Sequence, residues 1–150
     1  MIDIQYATEL DFSSWMELVR LLKDKFPGLE TEDSILEYEK TLLKNIKRRS
    51  AICAKDQNCV VGVLLFSTKN NMLCYMAVHP NYRRQGIATK MITEMLTKLD
   101  KNRDIIVSTF REDDEKGTAP RAFYKKFGFM EDELIEEFGY PNQRFILRAE

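Results

Sequence analysis

Apolar residues recur at helical spacing in some segments of this chain and form continuous runs in others, and this difference separates predicted helices from predicted strands. Spacings of three and four residues predict amphipathic helices from Ser13 to Lys25 and from Asp33 to Arg48. Continuous apolar runs then follow in "AICAK", "VVGVLLFST" and "MLCYMAV", each bounded by a short polar turn. Turns this short favour antiparallel strands joined as a meander.

The second half of the chain returns to helical spacing. Ala88, Met91, Ile92, Met95, Leu96 and Leu99 predict a third long helix, and "DIIVSTF" predicts a buried strand. "PRAFYKKFG" predicts a short helix, because Pro120 suits a first helical turn and Gly128 suits a stop. With a first strand in "IQYATELDF" and a closing strand in "QRFILRA", the order is β-α-α-β-β-β-α-β-α-β-β, an α/β (α+β) fold with helices on both faces of a mixed sheet.

Local patterns refine this outline at four places. The first strand is predicted to end at Asp11, and Ser14 with Glu17 has the pattern of a capping box. Val60 to Phe66 lacks polar alternation, so we expect this strand to be covered on both faces. Cys53 and Cys74 lie in apolar segments and are expected to be buried, while the three cysteines match no zinc spacing.

Composition narrows the classes of function. The 150 residues fit one domain, 1–150, and the net charge of −1 provides no field for nucleic acid or membrane binding. The basic run "KNIKRRS" is either a patch for an anionic partner or the solvated end of a helix. No apolar run approaches the roughly 20 residues of a membrane span, and the N-terminus lacks signal-peptide features. A cytoplasmic protein is expected.

The segment "AVHPNYRRQGIATKMI", Ala77 to Ile92, places a glycine where a strand gives way to a helix. The first N–H groups of a helix have no internal partner, and the helix dipole adds positive potential there. Gly86 has no Cβ, so an anion can approach the backbone. Arg83, Arg84 and Gln85 add donors. The pattern predicts a phosphate site, although a turn with exposed arginines would share it.

The same segment resembles the cofactor signature of the GNAT N-acetyltransferase superfamily, Arg/Gln-x-x-Gly-x-Gly/Ala, at Arg83, Gly86 and Ala88. "AFYKKFGF", Ala122 to Phe129, resembles the late helix of that family, with Tyr124 at the position of its tyrosine. The two motifs occur in the family's order with a helix and a strand between them. The predicted order of elements is similar over nearly the whole chain.

The resemblance implies a mostly antiparallel sheet, acetyl-CoA as cosubstrate and transfer of its acetyl group to an amine. It also implies that the strands Met72 to Val78 and Asp104 to Phe110 part, so that pantetheine inserts between them. Backbone groups of Met76 and Val78 would contact the acetyl carbonyl and the pantetheine arm, and the amides of residues 84–89 would hold the pyrophosphate. The implied cofactor-binding residues are Met76, Ala77, Val78, Arg83, Arg84, Gln85, Gly86, Ile87, Ala88, Thr89, Gly117 and Tyr124.

Two residues are the implied catalytic groups. The N–H of Met76 would stabilise the oxyanion, and the phenol of Tyr124 would assist the leaving thiolate as a general acid. The alternative for Tyr124 is plain packing among neighbouring phenylalanines. Gly117 and Pro120 depart from the family pattern, which commonly has Asn and Ala there.

The general base is not evident in this sequence. The strand before the signature, "NMLCYM", contains neither an acid nor a histidine, and Tyr75 is its only titratable oxygen. Glu112, Asp113 and Asp114 are candidates from the loop after the next strand, and a solvated loop is the alternative reading of these acids. A chain of water molecules could also take the proton in place of a side chain.

Several readings of the acceptor stay open. The resemblance implies that the acceptor site is formed by Phe26, Leu29, Glu30, Glu32 and "EDELIEEFGY". The acids among them would suit a cationic amine of a small molecule or peptide. Alternatively, they would simply favour solubility. A non-catalytic acyl-CoA-binding module and transfer of a longer acyl group are the competing functions. Homodimers are common in the family, and the sequence leaves this state open.

Overall fold

One seven-stranded sheet with two helices on each face forms the protein, as seen in a computed structural model that describes residues 1–149. The strands are β1 Ile2–Tyr6, β2 Ala51–Asp56, β3 Cys59–Ser67, β4 Met72–Val78, β5 Ile105–Phe110, β6 Met130–Glu137 and β7 Tyr140–Leu147. The helices are α1 Phe12–Leu22, α2 Glu32–Arg48, α3 Ile87–Leu96 and α4 Thr118–Lys126.

The strands lie in the order β1-β2-β3-β4-β5-β7-β6. Every neighbouring pair is antiparallel except β4 and β5, which are parallel. The crossover from β4 to β5 runs through α3, as a parallel connection requires. The predicted mixed, mostly antiparallel sheet and the predicted order of elements are therefore confirmed.

Two apolar cores lie on opposite faces of the sheet. Trp15 of α1 and Leu42 of α2 pack on one face, and Met91 of α3 and Tyr124 of α4 pack on the other. Strand β3 lies inside the sheet between β2 and β4, and its apolar side chains from Val60 to Phe66 are at most 3% exposed. The prediction that both faces of this strand are covered is confirmed.

The N-terminal region differs from its prediction. Strand β1 ends at Tyr6 instead of Asp11, because Thr8 and Asp11 form a reciprocal capping box that starts a short 3-10 turn. The capping box predicted for Ser14 and Glu17 is wrong. Ser14 Oγ instead accepts a hydrogen bond of 2.9 Å from the N–H of Val60 and so attaches α1 to the start of β3.

The ends of the other helices agree with their sequence signals. Helix α2 ends at Arg48, so the basic run lies at a helix C-terminus, where its cations suit the dipole. Helix α4 ends two residues before Gly128, whose φ of 107° is the left-handed conformation typical of a helix stop. No helix within residues 1–149 is both long and apolar enough to cross a bilayer.

Candidate active site

A fork between the two parallel strands is the central feature of the candidate site. Strands β4 and β5 pair only at Met72 with Ile106 and at Leu73 with Val107. Beyond these two pairs the strands part, although β4 continues to Val78 and β5 continues to Phe110. The sheet therefore contains a gap that opens toward the C-terminal ends of both strands.

A bulge in β4 explains why the strands part. Tyr75 pairs with Leu65 and Leu73 pairs with Phe66, so Cys74 has no counterpart on β3. An extra residue of this kind bends a strand and increases its twist. The prediction that Cys74 is buried is wrong, since it is exposed, whereas Cys53 is buried as predicted.

The gap presents backbone donors of β4. The N–H of His79 donates to the carbonyl oxygen of Val61 on β3 at 2.8 Å, which fixes the phase of hydrogen bonding along the strand. Because successive residues of a strand direct their amides to opposite neighbours, Ala77 faces its β3 partner Val63. By the same alternation, the amides of Met76 and Val78 face the gap. Of these three predicted residues, Ala77 is thus turned away from it.

The start of α3 lies just beyond β4 and has an open backbone. Gly86, the N-terminal cap, has a φ of 75°, and no heavy atom lies within 4 Å of the place a Cβ would occupy. Arg83, Arg84 and Gln85 are exposed. Among residues 1–149, no hydrogen bond outside regular helices and strands uses an N–H of residues 83–89. These amides are free to bind an anion.

Two contacts fix this turn to the sheet. The hydroxyl of Tyr82 donates to Asp56 Oδ2 at 2.7 Å, at the turn between β2 and β3. The side chain of Ile87 packs over Gly62 of β3, where an added Cβ would lie only 2.9 Å from Ile87 Cγ2. The glycine in β3 therefore lets the first turn of α3 lie close to the sheet.

Tyr124 is buried in the core on the α3–α4 face of the sheet. Its ring packs edge-on against Phe129, with 5.8 Å between centroids, and it belongs to the same apolar cluster as Leu73 and Val107, the last pair before the strands part. Burial raises the pKa of its hydroxyl far above the ordinary value, so the phenol stays protonated. Within the described residues the hydroxyl has no hydrogen-bond partner, and the residue as a whole is only 6% exposed.

Gly117 has a packing role. It is buried where the chain enters α4, and an added Cβ would lie 2.7 Å from the Cβ of Phe110 and 3.2 Å from Cδ of Arg121. A larger residue would displace the end of β5. Cofactor binding by Gly117 stays a prediction.

Sequence reasoning missed Arg121, which is only 5% exposed. Its Nη1 donates to the carbonyl oxygen of Phe110 at 2.8 Å and to Gln143 Oε1 at 2.7 Å. Its Nη2 forms an ion pair with Glu131 Oε1 at 3.3 Å, but the geometry is not that of a hydrogen bond. Arg121 precedes Tyr124 by one helical turn, and residues at this spacing share a face of a helix. The prediction for Tyr124 therefore contained a signal for Arg121 as well. It fixes the end of β5 to β7.

The acids proposed as bases occupy different environments. Asp114 accepts hydrogen bonds from the Tyr140 hydroxyl at 2.5 Å and from the N–H of Lys116 at 3.0 Å, so it caps a turn. Glu112 and Asp113 are exposed, as in a solvated loop. Burial raises the pKa of Tyr75 strongly, which makes its phenol a poor base at neutral pH.

Two of the acids expected to attract the acceptor are engaged locally. The carboxylate of Glu30 accepts hydrogen bonds from the N–H of Gly28 at 2.9 and 3.1 Å. Glu32 forms an ion pair of 2.8 Å with Arg20 on the exposed surface of the helices. Phe26, in contrast, packs at 4.8 Å between ring centroids against Tyr75 of β4. The wall beside β4 is therefore aromatic.

The family is established by comparison with known sequences. The family model described as Acetyltransferase (GNAT) domain matches residues 47–131, more than half of the chain, and the match spans the fork, the start of α3 and Tyr124. The chain belongs to the GNAT acetyltransferase family, and the expected enzyme class is confirmed. A search of curated proteins finds no match.

Solved structures with the same fold are distant in sequence. A GNAT-family acetyltransferase from Bacillus cereus ATCC 10987 is 19% identical, with a TM-score of 0.74 over 100% of this chain and 99% of that chain. The PaiA N-acetyltransferase from Thermoplasma acidophilum, solved with coenzyme A, is 17% identical, with a TM-score of 0.70 over 99% of both chains. The ribosomal-protein-S18-alanine N-acetyltransferase from Escherichia coli is 16% identical, with a TM-score of 0.71 over 99% of this chain and 94% of that chain.

Proposed function

We propose that this protein transfers the acetyl group of acetyl-CoA to a primary amine of a small molecule or a peptide by direct attack of the amine on the thioester. The observation that carries the proposal is the fork, which leaves amides of β4 without strand partners. The coenzyme A bound in the Thermoplasma relative supports the choice of cosubstrate.

The start of α3 suits the pyrophosphate of acetyl-CoA. Its unpaired amides are donors, and the open space beside Gly86 lets a phosphate approach the backbone. The exposed side chains of Arg83 and Arg84 add positive charge without being fixed in one position. Tyr82 and Ile87 hold the turn against the sheet, so the amides are oriented before the ligand arrives.

Met76 supplies the donor for the developing oxyanion. Its amide faces the gap, and negative charge on the thioester oxygen is stabilised there when the amine attacks. An amide held in a strand needs no reorganisation as this charge develops. Removing one such donor in other enzymes costs about 10²- to 10³-fold in kcat.

Tyr124 assists the departing sulfur. Its raised pKa means that the phenol donates a hydrogen bond to the thiolate and does not lose its proton outright. The proton that the sulfur finally takes is balanced by the proton that the attacking amine releases. A protein that only bound acyl-CoA would need no such donor.

The test is a panel of primary amines incubated with acetyl-CoA, with acetylated products detected by mass spectrometry. A thiol reagent alone would mislead, because Cys59 and Cys74 are exposed and react themselves. Product with at least one amine supports the proposal. Tight binding of acetyl-CoA by calorimetry without product from any amine would favour the non-catalytic module.

A further inference from the structure

A buried asparagine in the turn between β3 and β4 lies at the closed end of the fork. Resting on the proposed function above, we propose that Asn71 is a positioning residue for acetyl transfer. Its carboxamide joins the start of β4 to the α3–β5 loop, residues 97–104, and thereby fixes how β4 and β5 lie relative to each other where they part. The fit of the pantetheine arm between the strands depends on this geometry, although Asn71 itself touches neither substrate nor cofactor.

The side chain of Asn71 is enclosed by the α3–β5 loop and is 0% exposed. Its Nδ2 donates to the carbonyl oxygens of Asp100 at 2.9 Å and Asp104 at 3.1 Å. A third carbonyl oxygen, that of Arg103, lies 3.3 Å from the same nitrogen. In return, Asn71 Oδ1 accepts a hydrogen bond of 2.8 Å from the N–H of Asp100. The donor and the acceptor of the carboxamide are therefore both used to hold this one loop.

The backbone of Asn71 also links the two parallel strands. Its carbonyl oxygen accepts a hydrogen bond of 3.2 Å from the N–H of Ile106 in β5. Two residue pairs then join β4 to β5 before the strands part, whereas β4 pairs with β3, and β5 with β7, along six residue pairs each. The position of β4 relative to β5 therefore depends strongly on the contacts at this closed end.

The conformation of Asn71 allows its carboxamide to be removed without disturbing the turn. Its φ of 53° is left-handed, a conformation that glycine adopts without steric cost and that asparagine adopts more readily than most residues. A glycine would therefore suit the turn equally well. It would, however, remove the donor that three carbonyl oxygens of the α3–β5 loop share, and the loop would lose its attachment to β4.

The two parts of the candidate cofactor site are attached to the sheet by different contacts. The start of α3 is held by Tyr82, which donates to Asp56 at the end of β2, and by Ile87, which packs over Gly62 of β3. Neither contact involves the α3–β5 loop. Loss of the Asn71 carboxamide should therefore disturb the fork, where pantetheine would bind, and leave the diphosphate site at the start of α3 in place.

The first experiment measures the binding of two ligands to Asn71→Gly by calorimetry. Acetyl-CoA would occupy both the fork and the start of α3, whereas 3′-phospho-ADP has the diphosphate of coenzyme A and lacks the pantetheine arm. Asn71→Gly should raise the Kd of acetyl-CoA by about tenfold to a hundredfold, the contribution of roughly two hydrogen bonds, and change that of 3′-phospho-ADP by less than about twofold. Equal losses for both ligands, or an unchanged Kd of acetyl-CoA, would overturn the proposal.

Asn45→Ala is the matched control for loss of a buried carboxamide. Asn45 is buried in α2, and its Nδ2 donates to the carbonyl oxygens of Ser50 at 3.5 Å and Phe66 at 3.4 Å. Thermal unfolding of both variants measures the general loss of stability. Asn45→Ala should lower Tm and leave both Kd values unchanged. A selective loss of acetyl-CoA binding of the same size in Asn45→Ala would refute the positioning role of Asn71.

A milder variant provides the comparison if Asn71→Gly does not fold. Asn71→Ser keeps a hydroxyl that can donate one hydrogen bond, so it should weaken acetyl-CoA binding selectively but by a smaller factor. The wild-type protein separates this proposal from the proposed function. Acetyl-CoA binding and acetylated product from the wild type, without a selective loss in the Asn71 variants, would refute the role of Asn71 alone. Absence of acetyl-CoA binding to the wild type would refute the proposed function.

Discussion

Replacing Gly86 by valine tests whether the open backbone at the start of α3 binds coenzyme A. A side chain there would enter the empty space beside the amides, and the residue must keep a left-handed φ of 75°. The strain costs roughly 1–2 kcal/mol, which corresponds to a fall in Tm of about 2–8 °C for a chain of this size. Loss of two charge-assisted hydrogen bonds to phosphate would weaken binding by about 10²- to 10⁴-fold.

Gly139 provides the matched control. Its φ is 71°, and no heavy atom lies within 4 Å of the place a Cβ would occupy. Gly139→Val therefore carries the same backbone strain, but in the turn between β6 and β7. Calorimetry with acetyl-CoA and thermal unfolding of both variants separate strain from binding. Similar falls in Tm, with affinity lost only in Gly86→Val, would support the site. Unchanged affinity in Gly86→Val, or an equal loss in Gly139→Val, would refute the reasoning.

Three further outcomes follow from the packing and charge of named residues. Tyr124→Phe should lower kcat by about 10²- to 10⁴-fold with unchanged acetyl-CoA affinity, and an unaltered kcat in stopped-flow or steady-state assays would assign Tyr124 to packing. Gly62→Val should force Ile87 away from β3, lowering stability by about 1–3 kcal/mol in urea titrations and weakening acetyl-CoA binding. Burial raises the pKa of Asp11, but hydrogen bonds from Lys55 and Thr8 outweigh it and hold the pKa below its ordinary value. The ionised Asp11 therefore stabilises the fold at pH values above its unfolded pKa near 3.9. This stabilisation is lost as the pH falls through the lower pKa of the folded state. Asp11→Asn should make Tm depend less on pH in this acidic range.

The sequence predicted the sheet and helices well where periodicity was long and unbroken. The helical spacing from Ala88 to Leu99 and the apolar run of β3 required no information from distant residues. The first strand was predicted too long, because Thr8 and Asp11 cap a 3-10 turn that replaces the end of the predicted strand. Such a local hydrogen bond is visible in residue types but not in hydrophobic pattern.

The candidate site was predicted where it depends on backbone and missed where it depends on register. Gly86 and its neighbours were recognisable because a glycine before a helix has a local meaning. Cys74 was expected to be buried because it lies in an apolar segment, whereas a bulge at this position leaves it without a counterpart on β3 and exposed. The hydrogen bond of 2.7 Å from Arg121 to Gln143 joins residues far apart in sequence and arises only from the pairing of β5 with β7.

The bulge and the buried arginine together explain how the gap persists in a closely packed protein. Parting strands leave polar backbone groups without partners, which is costly unless water or a ligand reaches them. Here Cys74 bends β4 away while Arg121 binds the carbonyl oxygen of Phe110 and ties β5 to β7. Each strand is thus held on its outer side, so closing the gap would break bonds already made. The fold thus keeps the free amides at the fork and at the start of α3 oriented without a ligand.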